Sequence, residues 1–283
     1  MAAPGNDSMV ALWNGEVAPA WVTHPDRYDV MLAPFTTMVL DAAALQPGEH
    51  VLDVGCGAGA LALDAAARVG AGGSVVGIDV SAPMLSLAGE RARAAGAAVS
   101  FVEADAQVHG LDGSFDVVLS RFGVMFFADP LVAFTNLLGA AAPGGRLAFV
   151  CWQAAPSNEW TLTALMAVAP HVGPPDLPPP EAPGPFSLAE ADRTRQILEQ
   201  AGWADVDVEP KTTRVRLGGA STVEEAVAFF REDTFGRTLL ADVAAEQVVA
   251  ALSSLRAALA PHLVDGGVHL EAAVWVVTAR RPA

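Results

Sequence analysis

The feature that most constrains the fold is an apolar run that meets a cluster of glycines, Val51-Leu-Asp-Val-Gly-Cys-Gly-Ala-Gly59. The run predicts a buried strand, His50–Val54, and the Ala- and Leu-rich segment after it predicts a helix that stops at Gly70. Glycines at such a turn let backbone N–H groups approach a ligand, and the helix N-terminus favours an anionic group. The segment therefore predicts a ligand site at the carboxyl end of a buried strand.

The same alternation of strand and helix continues along the chain. The other predicted strands are Ser74–Ile78, Val99–Val102, Phe115–Leu119, Arg146–Trp152, Val206–Leu217 and Val268–Ala279. Strands that alternate with helices of about a dozen residues predict an α/β protein with a parallel sheet covered on both faces. We expect a doubly wound, mostly parallel sheet of seven strands.

The remaining segments predict helical additions to this core. Residues 1–45, with amphipathic stretches at Val10–Trp21 and Tyr28–Ala44, predict a helical cap, and residues 46–153 the core. Residues 154–220 predict an irregular, proline-rich cap loop (Pro156–Pro185, with Pro178-Pro179-Pro180), a helix opened by the capping box Ser187–Glu190 and ending near Gly202, and the sixth strand. Residues 221–265 predict a helical lid insertion, and residues 266–283 the final strand.

Charge and cysteine usage narrow the partners. The 283-residue chain has a formal net charge of −16, which disfavours nucleic acid and anionic membranes as partners. Cys56 and Cys151 lack metal-binding spacing, and Met1–Trp13 lacks the regions of a signal peptide, so we expect a cytoplasmic protein without a metal. Hydrophobic residues make up 52% of the chain, which predicts a large core or an apolar pocket. The sequence leaves the oligomeric state open.

The spacing of the glycines separates two classes of nucleotide-binding protein. Dinucleotide-binding proteins favour G-x-G-x-x-G, whereas this loop has G-x-G-x-G with Asp53 in the strand before it. Ala60 keeps a weak G-x-G-x-x-A reading open, so a nicotinamide-dependent oxidoreductase remains the less favoured alternative.

Five motifs in order resemble those of class I S-adenosylmethionine-dependent methyltransferases, in the small-molecule branch that includes menaquinone and ubiquinone enzymes. They are Val51–Gly59, Val76–Ser81, Glu103–Ala106, Phe115–Phe122 and Pro143–Leu147. The resemblance implies a Rossmann-like methyltransferase fold, S-adenosylmethionine as cofactor with S-adenosylhomocysteine as product, and methyl transfer to a small molecule. An enzyme that keeps this fold and cofactor but performs other chemistry, such as a cyclisation, is the alternative that these motifs leave open.

The resemblance also implies roles for single residues. Asp79 would accept hydrogen bonds from the ribose hydroxyls, Asp105 from the adenine amine, and Asp53 would tie the loop or meet the methionine ammonium. Each acid has a structural alternative: Asp79 could end its strand or cap the next helix, Asp105 could be a solvated loop acid, and Asp53 could link the loop internally. Met84 is equally well explained as a core residue of its helix. The expected cofactor set is Asp53, Gly55, Cys56, Gly57, Gly59, Asp79, Val80, Met84, Asp105, Ala106, Ser120 and Phe122.

The sequence shows no catalytic triad, and in-line methyl transfer needs a positioned base only when the nucleophile carries a proton. His24 in the cap and His171 in the proline-rich segment are the candidate bases. We predict a pocket for an apolar or aromatic substrate, lined by Trp13, Trp21, Arg121, Phe126, Trp152 and Phe229. The alternative for the aromatic residues is packing in the core, and for Arg121 it is a structural salt bridge.

Overall fold

The structure is a computed structural model that describes residues 6–15, 17–111, 114–173, 179 and 181–283. Its strands are β1 His50–Val54, β2 Ser74–Asp79, β3 Val99–Glu103, β4 Phe115–Arg121, β5 Ala141–Trp152, β6 Ala204–Arg216, β7 Leu263–Val264 and β8 Gly267–Arg280. Its helices are α1 Asp7–Asn14, α2 Ala18–Thr23, α3 Pro25–Ala43, α4 Ala60–Val69, α5 Ala82–Ala95, α6 Pro130–Ala140, α7 Glu159–Val172, α8 Ala191–Gln200, α9 Val223–Glu232, α10 Thr234–Leu240 and α11 Ala245–Leu259.

The central sheet has the strand order β3-β2-β1-β4-β5-β8-β6. The first five strands are parallel, β8 runs antiparallel to β5, and β6 runs antiparallel to β8. The strand order reverses between β1 and β4, where ligands bind at the carboxyl edge of doubly wound sheets. The predicted α/β fold is confirmed, and the one strand beyond the seven expected is the two-residue β7, which pairs with β8.

Both faces of the sheet are covered because its central strands are apolar on both sides. Val51, Leu52, Val117, Val118 and Leu119 are completely buried. The helix α3 lies on one face and buries Tyr28, Leu32, Phe35 and Val39, which repeat every three to four residues. This repeat fixes the N-terminal segment to the sheet and brings the start of α3 to the ligand edge.

Three local expectations are wrong. The first cap stretch is divided into α1 and α2, with Gly15 after α1. The segment Pro156–Pro185 contains the 14-residue helix α7, although most of Pro178-Pro179-Pro180 lies outside the described residues. Ser187 does not open α8, which begins at Ala191, because its hydroxyl donates to the Met125 carbonyl at 2.6 Å.

Asp129 and Pro130 mark the start of α6. The Asp129 carboxylate accepts a hydrogen bond from the Val132 N–H at 3.0 Å and so caps α6. Among the described residues, none of the helices is long and apolar enough to cross a membrane.

Candidate functional site

The glycine loop between β1 and α4 adopts a conformation that side chains other than glycine resist. Gly55, Gly57 and Gly59 have φ values of 66°, 52° and 81°. The loop also lies against the end of β4, because a Cβ on Gly55 would be 2.6 Å from the Cα of Gly123. The backbone N–H groups of Gly55 and Cys56 donate to the Ile78 carbonyl, which ties the loop to β2.

Asp79, at the end of β2, links this loop to the next turn. One carboxylate oxygen accepts from the Gly57 N–H at 2.8 Å, and the other accepts from the Ser81 N–H at 2.9 Å. Burial raises the pKa of Asp79, and the N–H donors of Gly57, Ser81 and Val80 oppose that rise. Each carboxylate oxygen can accept a further hydrogen bond. Asp79 also borders the adjoining cavity, so it can bind a ligand group there while it holds the two turns together.

Asp53, within β1, is a buried acid that borders the same cavity. The residue is 1% accessible to solvent, and among the described residues neither carboxylate oxygen accepts a hydrogen bond of ordinary geometry, although the nearby Ala62 N–H lowers the pKa of the carboxyl. Burial raises the pKa of Asp53 to about 7, with Arg121 lowering and Asp79 raising it by their charges. A buried carboxylate with no well-formed hydrogen bond is costly, so this position favours a cationic or hydrogen-bonding ligand group.

Arg121, at the end of β4, is the cation that faces Asp53. Its guanidinium donates to the Thr36 hydroxyl of α3 at 2.6 Å. Burial lowers the pKa of Arg121, and the charges of Asp53 and Asp29 oppose that effect. Asp53 and Arg121 both border the cavity and make this part of its lining polar.

A third acid, Asp105, lies just beyond the end of β3. Asp105 is 8% accessible, and its carboxylate accepts from the Gln107 N–H at 3.0 Å. Asp105, Ala106 and Met84 all border the same cavity as the glycine loop. Asp79 and Asp105 thus follow neighbouring parallel strands at one edge of the sheet.

The cavity has a volume of about 860 Å³ and extends from the glycine loop to the helices α9 and α10. We call its sides the first and second aromatic walls. The first wall consists of Phe126, Trp13, Trp21, Tyr28 and Phe229, with successive ring centroids 5.1, 6.0, 3.7 and 5.6 Å apart. The second wall consists of Phe122, Trp152, Trp160 and Phe235, with successive centroids 4.2, 5.3 and 6.2 Å apart.

Phe122 begins the second wall in an unusual backbone conformation. Its φ is 66°, in the left-handed region that L residues seldom adopt. The ring stacks on Trp152 at 14° and meets Phe35 edge to face, so packing holds the strained residue in place. Such strain at the end of β4 is typical of a ligand-binding position.

The C-terminal end of α1 docks on the turn after β2. The Asn14 side chain donates to the Val80 carbonyl at 2.8 Å and accepts from the Ala82 N–H at 3.0 Å. The Ser81 hydroxyl donates to the Trp13 carbonyl at 2.8 Å instead of capping α5. The N-terminal cap therefore contacts the same turn that Asp79 supports.

Most of the predicted site residues are brought together at this cavity. Bordering it are Asp53, Gly55, Cys56, Gly57, Asp79, Val80, Met84, Asp105, Ala106 and Phe122 from the cofactor set, and Trp13, Trp21, Arg121, Phe126, Trp152 and Phe229 from the pocket set. Gly59 does not border it, and a Cβ there would meet Ala88 and Phe101. Ser120 is also beneath the surface, where its hydroxyl donates to the Val54 carbonyl and accepts from the Gly123 N–H.

The two histidines proposed as bases do not border the cavity. His24 is exposed between α2 and α3, and His171 is hydrogen-bonded to the Ser254 hydroxyl at 2.8 Å. Sequence reasoning missed Tyr28 and Asp233, which do border it. Asp233 precedes Thr234 as an ordinary helix cap, so no local signal separates it from other capping acids.

The match to a known family covers the part of the chain that carries the glycine loop and the three acids Asp53, Asp79 and Asp105. Residues 51–145 match the family model described as a methyltransferase domain. Nocamycin O-methyltransferase of Saccharothrix syringae is 40% identical over 138 residues, which cover 47% of this chain and 48% of that relative. Demethylmenaquinone methyltransferase of Thermus thermophilus is 39% identical over 124 residues, 44% of this chain and 56% of the relative. The chain thus spans about half the length of the curated relatives it matches.

A solved structure supports the fold over most of the chain. Phosphoethanolamine N-methyltransferase 2 of Haemonchus contortus, in complex with S-adenosyl-L-methionine, has a TM-score of 0.57 and 20% identity, covering 93% of this chain and 57% of that one. At this identity the likeness concerns the fold alone. The family match therefore concerns residues 51–145, and the structural likeness concerns the fold of most of the chain.

Proposed function

We propose that this chain transfers the methyl group of S-adenosylmethionine to a small, largely apolar acceptor. The observation that carries the proposal is the carboxylate of Asp53, which is buried beside the glycine loop, accepts no hydrogen bond of ordinary geometry from the described residues and borders the large aromatic cavity. A ligand with an ammonium group satisfies that carboxylate, and the methionine part of the cofactor has one. The family match over residues 51–145 supports the same cofactor.

The residues present fit the cofactor along its whole length. Asp53 would hold the methionine ammonium, and the backbone of Gly55 and Gly57, which carries no side chain, would lie along the ligand. Asp79 would accept from the ribose hydroxyls, and Asp105 with Ala106 would hold the adenine. Charge-assisted hydrogen bonds of this kind are about twice as strong as neutral ones.

Bound S-adenosylmethionine supplies an electrophilic methyl group on a positively charged sulfur. The protein's contribution is to hold an acceptor atom in line with that methyl group and to exclude water. Phe122 at the end of β4 and Trp152 at the end of β5 form a rigid aromatic surface for this purpose. The cap residue Trp13 closes the opposite side through its contact with Phe126.

The cavity favours an apolar acceptor with rings. Nine aromatic side chains form its two walls, and the volume of about 860 Å³ exceeds what a cofactor of this size fills alone. Two relatives are named as a nocamycin O-methyltransferase and a demethylmenaquinone methyltransferase, which supports a natural-product or quinone-like acceptor.

The net charge and the state of the cysteines support a proposal about the partner of the chain and its location in the cell. With a net charge of −16, the chain is unsuited to nucleic acid, so a small molecule is the proposed partner. Cys56 and Cys151 are free and buried thiols, which is consistent with the reducing conditions of the cytoplasm.

Calorimetric titration with S-adenosylmethionine, S-adenosylhomocysteine and NADH tests the proposal. We expect both sulfur compounds to bind and NADH not to bind. The variant Asp79→Ala should lose cofactor binding by at least tenfold, because the ribose acceptor and the Gly57 link are both removed. Glu103→Ala is the matched control, since Glu103 ends the neighbouring strand but is exposed and lies outside the cavity. Unchanged affinity in Asp79→Ala, or tight binding of NADH, would contradict the proposal.

Methyl transfer itself is tested with a labelled methyl donor. Incubation with labelled S-adenosylmethionine and extracts of apolar metabolites should give labelled organic-soluble product. Binding of the cofactor without any labelled product would favour the alternative of a methyltransferase fold that performs a cyclisation or similar reaction.

A further inference from the structure

The cavity ends at two polar side chains from distant parts of the chain. Tyr28 lies on α3, Asp233 lies between α9 and α10, and both border the cavity. The Tyr28 ring is held between two aromatic neighbours, stacked on Trp21 with centroids 3.7 Å apart and edge to face with Phe229 at 5.6 Å. The phenol hydroxyl therefore has a fixed position at this end of the first aromatic wall.

The hydrogen bonds of these two residues leave one donor and one acceptor free. The Oδ1 atom of Asp233 caps α10 by accepting from the N–H groups of Phe235 and Gly236 at 2.5 and 3.1 Å. Within the described residues, Oδ2 of Asp233 accepts no hydrogen bond and the Tyr28 hydroxyl makes none. Neither Tyr28 Oη nor Asp233 Oδ2 is among the buried polar atoms that lack a partner, so both can be reached from the cavity that these residues border and can meet a ligand group there.

Contacts around Phe229 bring the two residues to the same end of the cavity, because its ring meets Tyr28 edge to face and its carbonyl accepts from the Asp233 N–H at 2.9 Å. Burial raises the pKa of Tyr28, and the charge of Asp233 is the next largest cause. Burial also raises the pKa of Asp233 to about 7, against the two N–H donors of α10. The remaining charged neighbours of Tyr28, Arg27 and Glu232, pair with each other at 2.5 Å, so they do not satisfy Asp233.

We propose that Tyr28 and Asp233 together recognise a hydroxyl group on an aromatic acceptor and so determine the specificity of the cavity. A hydroxyl accepts and donates at once, and here it would accept from Tyr28 Oη and donate to Asp233 Oδ2. An ether oxygen at the same place can only accept, and a carboxylate would face the charge of Asp233. A site that must satisfy its own polar groups rejects an analogue that lacks the hydroxyl.

The shape of the cavity supports the ring that carries this hydroxyl. Both aromatic walls end beside the pair, the first at Phe229 and the second at Phe235. Planar rings between such walls stack or meet edge to face, which orients the hydroxyl toward Tyr28 and Asp233. This inference rests on the proposed function and adds the chemical class of the acceptor to it.

Two probes that share one ring system test the inference by equilibrium dialysis. These are 1-naphthol, which has the hydroxyl, and 1-methoxynaphthalene, in which a methyl ether replaces it. The protein is first loaded with S-adenosylhomocysteine at pH 8, where Asp233 is mostly ionised. We expect 1-naphthol to bind at least tenfold more tightly than 1-methoxynaphthalene.

The variants separate recognition from folding. Asp233→Asn keeps an oxygen for the α10 cap but replaces the free acceptor with a donor, so the preference should fall below threefold. Tyr28→Phe removes only the donor and should weaken 1-naphthol binding about fivefold. Glu224→Gln is the control, because it makes the same change of acid to amide on α9 at an exposed ion pair with Arg256 and should keep the full preference.

The outcomes distinguish this inference from the proposed function. If S-adenosylhomocysteine binds normally but the wild type binds neither probe, or shows no preference, the hydroxyl site is refuted and the cofactor site stands. A full preference retained in Asp233→Asn also refutes it, with the unfolding midpoint showing that the variant is folded. Failure of S-adenosylhomocysteine to bind at all refutes the proposed function itself.

Discussion

The buried carboxylate of Asp53 gives cofactor binding a pH dependence that can be calculated. Its pKa of about 7 means that half of the free protein carries a proton there at pH 7. At pH 5.5 only about 3% of the carboxylate is ionised. Because only the ionised form pairs with the methionine ammonium, the affinity should follow the ionised fraction.

The direction and size of the effect follow from this fraction. The carboxyl pKa is raised in the free protein and should fall when the ammonium is bound, so affinity rises with pH. Between pH 5.5 and pH 7, the Kd of S-adenosylmethionine should fall about 15-fold, or about 1.6 kcal/mol. The ligand's own amine stays largely protonated over this range, because α-amino groups titrate near pH 7.7–8.0.

Calorimetry at several pH values, in two buffers of different ionisation enthalpy, measures both the Kd and the protons released. At pH 5.5 we expect close to one proton released for each cofactor bound. Asp53→Asn should bind more weakly at pH 7 and lose most of the slope, while the raised pKa of Asp79 accounts for any slope that remains. A Kd in the wild type that does not change with pH, or a full slope in Asp53→Asn, would refute the reasoning.

Two further predictions concern the cap and the loop. Asn14→Ala removes the hydrogen bonds to Val80 and Ala82. It should weaken S-adenosylhomocysteine binding about fivefold in calorimetry without lowering the unfolding midpoint. An unchanged Kd would show that the docked cap does not support the cofactor turn. Gly123→Ala places a Cβ 2.6 Å from the Val54 carbonyl oxygen and should lower the free energy of unfolding, measured in urea, by about 2 kcal/mol. Gly139→Ala is the control, because a Cβ at Gly139 meets no neighbouring group within 4 Å and should not lower the free energy of unfolding.

The core of the sheet was predictable because its signals are local. The strand His50–Val54 has the same bounds in the structure, and the loop glycines take the positive φ values that their pattern indicates. Asp79 follows its strand at the predicted place, since strand ends in a parallel sheet share one edge. The hydrophobic period and the turn residues suffice to predict a short segment whose own sequence determines its conformation.

The caps were less predictable because tertiary contacts decide them. Ser187 has the sequence of a helix cap, yet the Met125 carbonyl takes its hydroxyl across 62 residues. The helix α7 forms in a proline-rich segment because Pro156 precedes it and Pro170 lies in its last turn, so neither interrupts its middle. The neighbours Tyr28 and Asp233 are about 200 residues apart in sequence, and nothing local brings them together.

A crystal structure with S-adenosylhomocysteine tests the central claim most directly. The account predicts the ligand's ammonium within hydrogen-bonding distance of Asp53 and its ribose hydroxyls on Asp79. It also predicts that the sulfur faces the space between the two aromatic walls, with Tyr28 and Asp233 at the opposite end. A ligand bound elsewhere, or a sulfur turned away from the aromatic cavity, would contradict the account.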